Sequence, residues 1–115
     1  MRVEEATPGA ETAVRAICNA AMLELDEAVL AEAAVLVARE DDRVLGALVL
    51  NGTEIDAVAV RPGRRGSGIG SALVEAAADQ RPELTAEFDL GVRPFYESLG
   101  FDIDCDGGRC RGYLR

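Results

Sequence analysis

Residues 55–71 read Ile-Asp-Ala-Val-Ala-Val-Arg-Pro-Gly-Arg-Arg-Gly-Ser-Gly-Ile-Gly-Ser. An apolar run ends in a basic, glycine-studded loop, and an alanine-rich segment with helical spacing follows at once. Gly66, Gly68 and Gly70 can take positive φ and hold no side chain in the way, so successive backbone N–H groups can converge on an anion. A helix beginning near Ser71 would aim its positive end at the same point. Arg64 and Arg65 add full charges. Strand, loop and helix in this order predict a pyrophosphate cradle over residues 65–71.

Working outward, the elements alternate in a definite order. Arg2–Ala6 reads as a strand, and Thr7-Pro8-Gly9 as a break. Ala13, Val14, Ile17, Ala21 and Leu25 recur at helical spacing over residues 10–24. Asp26 is placed to cap a second short helix through Ala33. Val35–Arg39 and Arg43–Leu50 read as strands around a turn at Asp41-Asp42. Asn51-Gly52 predicts a type I′ hairpin turn, and Glu54–Val60 returns antiparallel. A helix from about Gly70 to Asp79 presents Ile69, Leu73, Val74 and Ala77 to the sheet and stops at Pro82. Leu84–Phe88 is a short strand. Pro94 must sit in the first turn of the next helix, which ends at Gly100. Phe101–Asp106 alternates strictly, Gly107-Gly108 turns the chain, and Arg109–Leu114 closes it. At 115 residues this makes one domain over residues 1–115. It is α/β, a mixed sheet of about seven strands with helices on both faces.

Two motifs make the chain resemble the GNAT superfamily of acyl-CoA-dependent N-acetyltransferases. The family fingerprint V-x-P-x-x-R-G-x-G-[IV]-G is met by Val60, Pro62, Arg65, Gly66, Gly68, Ile69 and Gly70. Later, Tyr96-Glu97-Ser98-Leu99-Gly100-Phe101 matches the family's Tyr four residues before Gly-Phe. The strand and helix order is also that of the family.

The resemblance implies acetyl-CoA as co-substrate, direct transfer to an amine, and no metal. It assigns Arg64, Arg65, Gly66, Ser67, Gly68, Ile69, Gly70 and Ser71 to the pyrophosphate. It assigns the backbone of Val58, Ala59 and Val60 to the pantetheine arm and the thioester carbonyl, on a strand that splays from residues 84–88. Tyr96 is placed near the departing sulfur. The base is open between two carboxylates. Glu54 stands where some family members carry a catalytic glutamate, and Asp56 lies two residues closer to the loop. Alternation puts Glu54, Asp56, Val58 and Val60 on one face unless a bulge intervenes. Measured from the Val58 amide, Asp56 is ~7 Å and Glu54 ~13 Å away along a strand. Asp89 stands where members often carry an Asn that donates to pantetheine, and an ionised Asp cannot donate.

Composition narrows the rest. With no histidine, a Ser-His-Asp triad and a His-based metal site are excluded. The net charge of −9 disfavours general nucleic-acid binding. All twelve basic residues are arginine, and this acidic, Lys-free composition is halophile-like, since carboxylates hold hydration where salt screens other charges. No apolar run is long enough to cross a membrane, and the start carries no signal-peptide core, so a cytoplasmic protein is expected. A homodimer is open as a partner. Cys18, Cys105 and Cys110 are expected as reduced thiols. The Gly107-Gly108 turn nevertheless sets Cys105 opposite Cys110. Asp102, Asp104 and Asp106 share one face of that hairpin and, with Glu54 and Asp56, suggest an acidic mouth for a cationic primary amine. The alternative from another class is a non-catalytic acyl-CoA-binding module.

Overall fold

The computed structural model describes residues 1–21 and 27–115. The chain order is β1 (Arg2–Glu5), α1 (Glu11–Ala20), α2 (Glu27–Glu32), β2 (Ala34–Glu40), β3 (Arg43–Asn51) and β4 (Glu54–Val60). It continues with α3 (Ile69–Gln80), β5 (Leu84–Asp89), α4 (Arg93–Ser98), β6 (Asp102–Asp106) and β7 (Arg109–Leu114). The expected break at Thr7-Pro8-Gly9 is a 3₁₀ turn over Pro8–Ala10 that leads into α1. Leu25 and the cap assigned to Asp26 lie outside the described residues. Among the described residues, no helix is long and apolar enough to cross a membrane.

The strands form one seven-stranded sheet in the order β1-β2-β3-β4-β5-β7-β6. Every neighbouring pair is antiparallel except β4 and β5, which run parallel. Helices cover both faces because the strands are apolar on both. On one side α3 sets Ile69, Leu73, Val74 and Ala77 against Leu36, Leu45, Leu48, Leu50 and Leu84. On the other, Val14, Ile17 and Cys18 of α1 meet Val37, Ala47, Val49, Ala57 and Ala59. Leu36, Leu48, Leu73 and Leu84 are sealed from solvent, and each such side chain contributes roughly 1.5–3 kcal/mol.

One turn departs from its expected register. Asn51 pairs with Glu54 as the last residue of β3, so the turn residues are Gly52 and Thr53, not Asn51 and Gly52. Gly52 supplies the positive φ of +61° that the turn needs. The register then slips: Leu50 faces Ile55 while Val49 faces Ala57, which leaves Asp56 as the extra residue of a β-bulge. The core explains the slip, because Ile55 and Leu50 belong to the α3 side while Val49 and Ala57 belong to the α1 side.

The last hairpin has the expected register, with Cys105 opposite Cys110 and Asp106 opposite Arg109. The expectation of reduced thiols is corrected here. Cys105 and Cys110 are joined in a disulfide, and Cys18, on the buried face of α1, is the free cysteine. The two-residue turn forces the pair together, with Cα atoms 4.0 Å apart. Burial pushes the Cys18 thiol above its ordinary pKa.

Candidate active site

The glycine loop folds as its sequence dictates. Gly66 and Gly68 take φ of +81° and +85°, and Gly68 is the N-cap residue just before α3. A side chain added at Gly66 or Gly68 would meet nothing within 4 Å, so both glycines border open space. A cleft of about 370 Å³ lies over the loop, lined by Val60, Arg64, Arg65, Gly66, Gly68, Ile69, Gly70 and Ser71. Phe95 of α4 forms its remaining wall. Gly70 is a glycine for a different reason: a Cβ there would come within 3.2 Å of the Phe95 ring. Arg65 donates from Nε to the Val60 carbonyl at 3.2 Å. Arg64 reaches Glu40 at 3.2 Å, and the Ser67 hydroxyl donates to the Arg64 carbonyl.

Beside the loop, the sheet parts. The parallel pairing of β4 with β5 comprises Glu54 with Thr85 and Ile55 with Ala86. Beyond that, Glu87, Phe88 and Asp89 pair with β7 on their far side, and Val58–Val60 pair only with β3. Which groups face the gap follows from alternation. The Arg61 N–H donates to the Leu45 carbonyl at 2.8 Å, so Arg61 turns toward β3. Ala59 and Ala57 then turn the same way, and Val58 and Val60 turn their N–H and C=O groups into the gap. Of the three strand residues expected to serve the pantetheine arm, Val58 and Val60 are thus turned toward the gap. Ala59 is not, because its backbone is committed to Ala47 and its side chain to the α1-side core.

The carboxylates are rearranged by the bulge. Ile55, Val58 and Val60 pack on one face of the sheet, so Glu54 does not share the face of Val58 as simple alternation requires. Asp56 occupies the bulge itself, exposed and two residues before Val58 in the strand. Its carboxyl is pushed above the ordinary carboxylate value, first by partial loss of solvent and then by the neighbouring charge of Glu54.

Tyr96 is 6% exposed. Its ring stacks on Phe88 at 4.2 Å and meets Phe95 and Phe101 edge-on at 5.0 and 5.1 Å. Such contacts fix a ring's orientation as well as burying its area. Gly100, with φ of +89°, ends α4 and returns the Phe101 N–H to the Tyr96 carbonyl at 3.2 Å. Burial pushes the phenol up to about 12. Among the described residues no buried side-chain oxygen lacks a hydrogen-bond partner. None of the hydrogen bonds there involves the Tyr96 hydroxyl, so the hydroxyl keeps contact with solvent.

Charges around the last strands are paired. The Asp89 carboxylate makes no helix cap and forms an ion pair with Arg109 at 3.0 Å. Nor is the last hairpin a purely acidic face. Arg109 and Arg111 stand opposite Asp106 and Asp104, and Arg111 reaches Glu87 at 2.9 Å. Cross-strand partners of opposite sign break up the acidic stripe that the β6 sequence suggests. Phe95 is the cleft residue that sequence reading missed. The signal was its place beside Tyr96 together with the need for Gly70 opposite.

A strand parted from its parallel neighbour leads into a glycine loop that opens a helix, with a cleft over that loop. The family model described as Acetyltransferase (GNAT) domain matches residues 31–103, and the chain belongs to that family. It is 38% identical over 94 residues to the peptidyl-lysine N-acetyltransferase YjaB of Salmonella typhimurium, a match covering 76% of this chain. It is 38% identical over 78 residues to YjaB of Escherichia coli, covering 64% of this chain. The chain spans 65% and 53% of the length of those two relatives. The fold is also that of Rv2747 from Mycobacterium tuberculosis, solved in complex with CoA and NLQ. There the TM-score is 0.84 at 19% identity, covering 99% of this chain and 98% of that one.

Proposed function

We propose that this chain transfers the acetyl group of acetyl-CoA directly to a primary amine that is cationic before reaction. The class we favour is a lysine side chain of a peptide or protein. The observation that carries this reading is the gap between β4 and β5, into which Val58 and Val60 turn backbone groups that no neighbouring strand pairs, the Val60 carbonyl accepting only from Arg65 beside the glycine loop. That gap is a slot for one added strand-like arm, and the loop beneath it is open to a pyrophosphate.

In this reading the residues divide the work. Backbone N–H groups of residues 65–71, helped by Arg65, hold the pyrophosphate. Val58 donates its N–H to the thioester carbonyl, where negative charge grows during attack. Asp56 takes the proton from the ammonium, and its raised pKa suits a base better than an ordinary aspartate's. Glu54 supplies the charge that helps raise it. The amine forms the new C–N bond, the C–S bond breaks, and the thiolate leaves toward Tyr96. A phenol held near 12 is a weak acid beside a thiol near ~8.5, so Tyr96 acts as a hydrogen-bond donor to the sulfur and solvent completes its protonation. With the hairpin face neutralised by arginines, the preference for a cationic acceptor rests on Glu54 and Asp56. The setting we assign is the cytoplasm, where disulfides are transient or regulatory rather than structural.

The reading is tested by following thiol release from acetyl-CoA with matched amines at fixed low salt. Spermidine or a basic peptide should outpace glutamate, and a faster reaction with glutamate overturns the acceptor class.

A further inference from the structure

We infer that the Cys105–Cys110 disulfide is a redox-responsive clamp on α4, coupled to the acetyl-CoA cleft. The inference begins with what the bond does not do. It joins residues only five apart in sequence, already paired across a two-residue turn. A closed loop this short removes less freedom from the unfolded chain than a long one, and the turn already holds the two strands in register without it.

What the bond touches is more specific. Cys110 is buried, opposite Phe88 on β5, and Phe88 is the ring on which Tyr96 stacks. Cys105 is half-buried, within reach of a small thiol. Arg93, the first residue of α4, donates from Nη1 to the Cys105 sulfur at 3.6 Å, and its Nε meets Glu97 at 3.4 Å. Two residues along the same helix, Phe95 packs on Gly70 of the loop. One short helix thus rests on the disulfide at its start and on the glycine loop and Phe88 through its middle.

Chemistry follows from this placement. The guanidinium beside Cys105 stabilises a thiolate there, which makes that sulfur the better leaving group in thiol–disulfide exchange. One thiolate of a dithiol reductant attacks the reachable Cys105 sulfur and expels the Cys110 thiolate. The reductant's second thiol then attacks the reductant's own sulfur in the mixed disulfide and expels the Cys105 thiolate, the step that Arg93 assists. Two electrons and two protons thus pass to the protein, giving two thiols and one cyclic reductant disulfide. Two unbonded sulfurs need more room than a bonded pair, and Arg93 of α4 lies against the Cys105 sulfur. Reduction therefore shifts α4, and with it Tyr96 and the Gly70 contact. By linkage, a ligand that favours the clamped helix also favours the oxidised pair. The consequence for turnover rests on the acetyltransferase reading above; the movement of α4 does not.

The experiment compares the full chain after air oxidation and after treatment with excess dithiothreitol. Its readouts are NMR of the Tyr96 ring and the amides of residues 66–70, and acetyl-CoA turnover. Cys105→Ser/Cys110→Ser serves as the unbridged control. On reduction, the Tyr96 and Gly70 resonances should move and turnover should fall about fivefold or more, the size of a small allosteric coupling. The double variant should match the reduced chain and ignore dithiothreitol. Unchanged Tyr96 and Gly70 resonances would overturn the clamp, as would sensitivity persisting in the double variant or no bridged 105–110 peptide after oxidation. Resonances that move while neither form transfers acetyl would support the clamp and count against the proposed activity. Arg93→Gln provides a second variant that keeps both cysteines; it should slow reduction of the bridge, and an unchanged rate contradicts the role given to Arg93.

Discussion

The loop at residues 65–71 is one continuous run whose geometry is set by its own glycines, whereas the wall facing it is gathered from β4, β5 and α4. The loop needs only local conditions: positive φ at Gly66 and Gly68 and open space above them. The facing wall depends on where strands part, on a bulge at Asp56, and on a helix that brings Phe95 to the cleft. A site built from contiguous sequence tolerates change around it and fails when struck directly. An assembled site can be disturbed from a distance, as through the Cys105–Cys110 bridge.

The largest expected effect comes from striking the loop. Gly68→Glu forces a β-carbon into a backbone with φ of +85° and sets a carboxylate against the pyrophosphate. Calorimetry should show acetyl-CoA affinity falling by about 1,000-fold, roughly 4 kcal/mol. Binding close to that of the unaltered chain would mean that the loop is not the phosphate site. On the facing wall, Tyr96→Phe should leave affinity within a few-fold and lower turnover by about 10²-fold, typical for loss of one positioned donor. A change in affinity with no change in turnover would move Tyr96 from the reaction to the binding of the cofactor.

A smaller effect separates the two carboxylates. Asp56 must be ionised to act as base, so turnover should fall as pH drops through its raised pKa. Removing the charge of Glu54 takes away one of the two causes of that rise, so Glu54→Gln should move the acid limb to lower pH. Asp56→Asn should abolish the limb. A limb that vanishes with Glu54→Gln and persists with Asp56→Asn exchanges their roles.

How much of this was legible in the sequence follows the same division. The strand and helix order, the helix face of Ile69, Leu73, Val74 and Ala77, and the place of Pro94 in the first turn of α4 could be read because each is decided within a few residues. The parting of β4 from β5 came only through family resemblance. The bulge was not legible, because it arises from fitting Ile55 and Ala57 to cores on opposite faces of the sheet. It moved the turn from Asn51-Gly52 to Gly52-Thr53 and took Glu54 off the face of Val58. The charge of the last hairpin was misread for a related reason. Alternation along β6 shows the aspartates, while their arginine neighbours arrive from β7.

The smallest expected effect tests that last point. Arg109 and Arg111 make exposed pairs with Asp89 and Glu87, worth little to stability. Arg109→Gln/Arg111→Gln should change the melting temperature by no more than a degree or two. It should also raise the preference for a basic peptide over a neutral one, because the hairpin face becomes acidic. An unchanged preference would place the acceptor away from β6 and β7.

The account stands or falls on whether the parted cleft transfers acetyl or only holds its carrier. The direct measurement is mass spectrometry of a lysine-containing peptide incubated with acetyl-CoA and the chain, alongside thiol release. The expected result is acetyl-lysine appearing in step with free thiol, abolished by Gly68→Glu and strongly slowed by Tyr96→Phe. Tight acetyl-CoA binding with no acetylated peptide and no thiol release, across basic, neutral and acidic amines, would contradict it and make the chain a binding module.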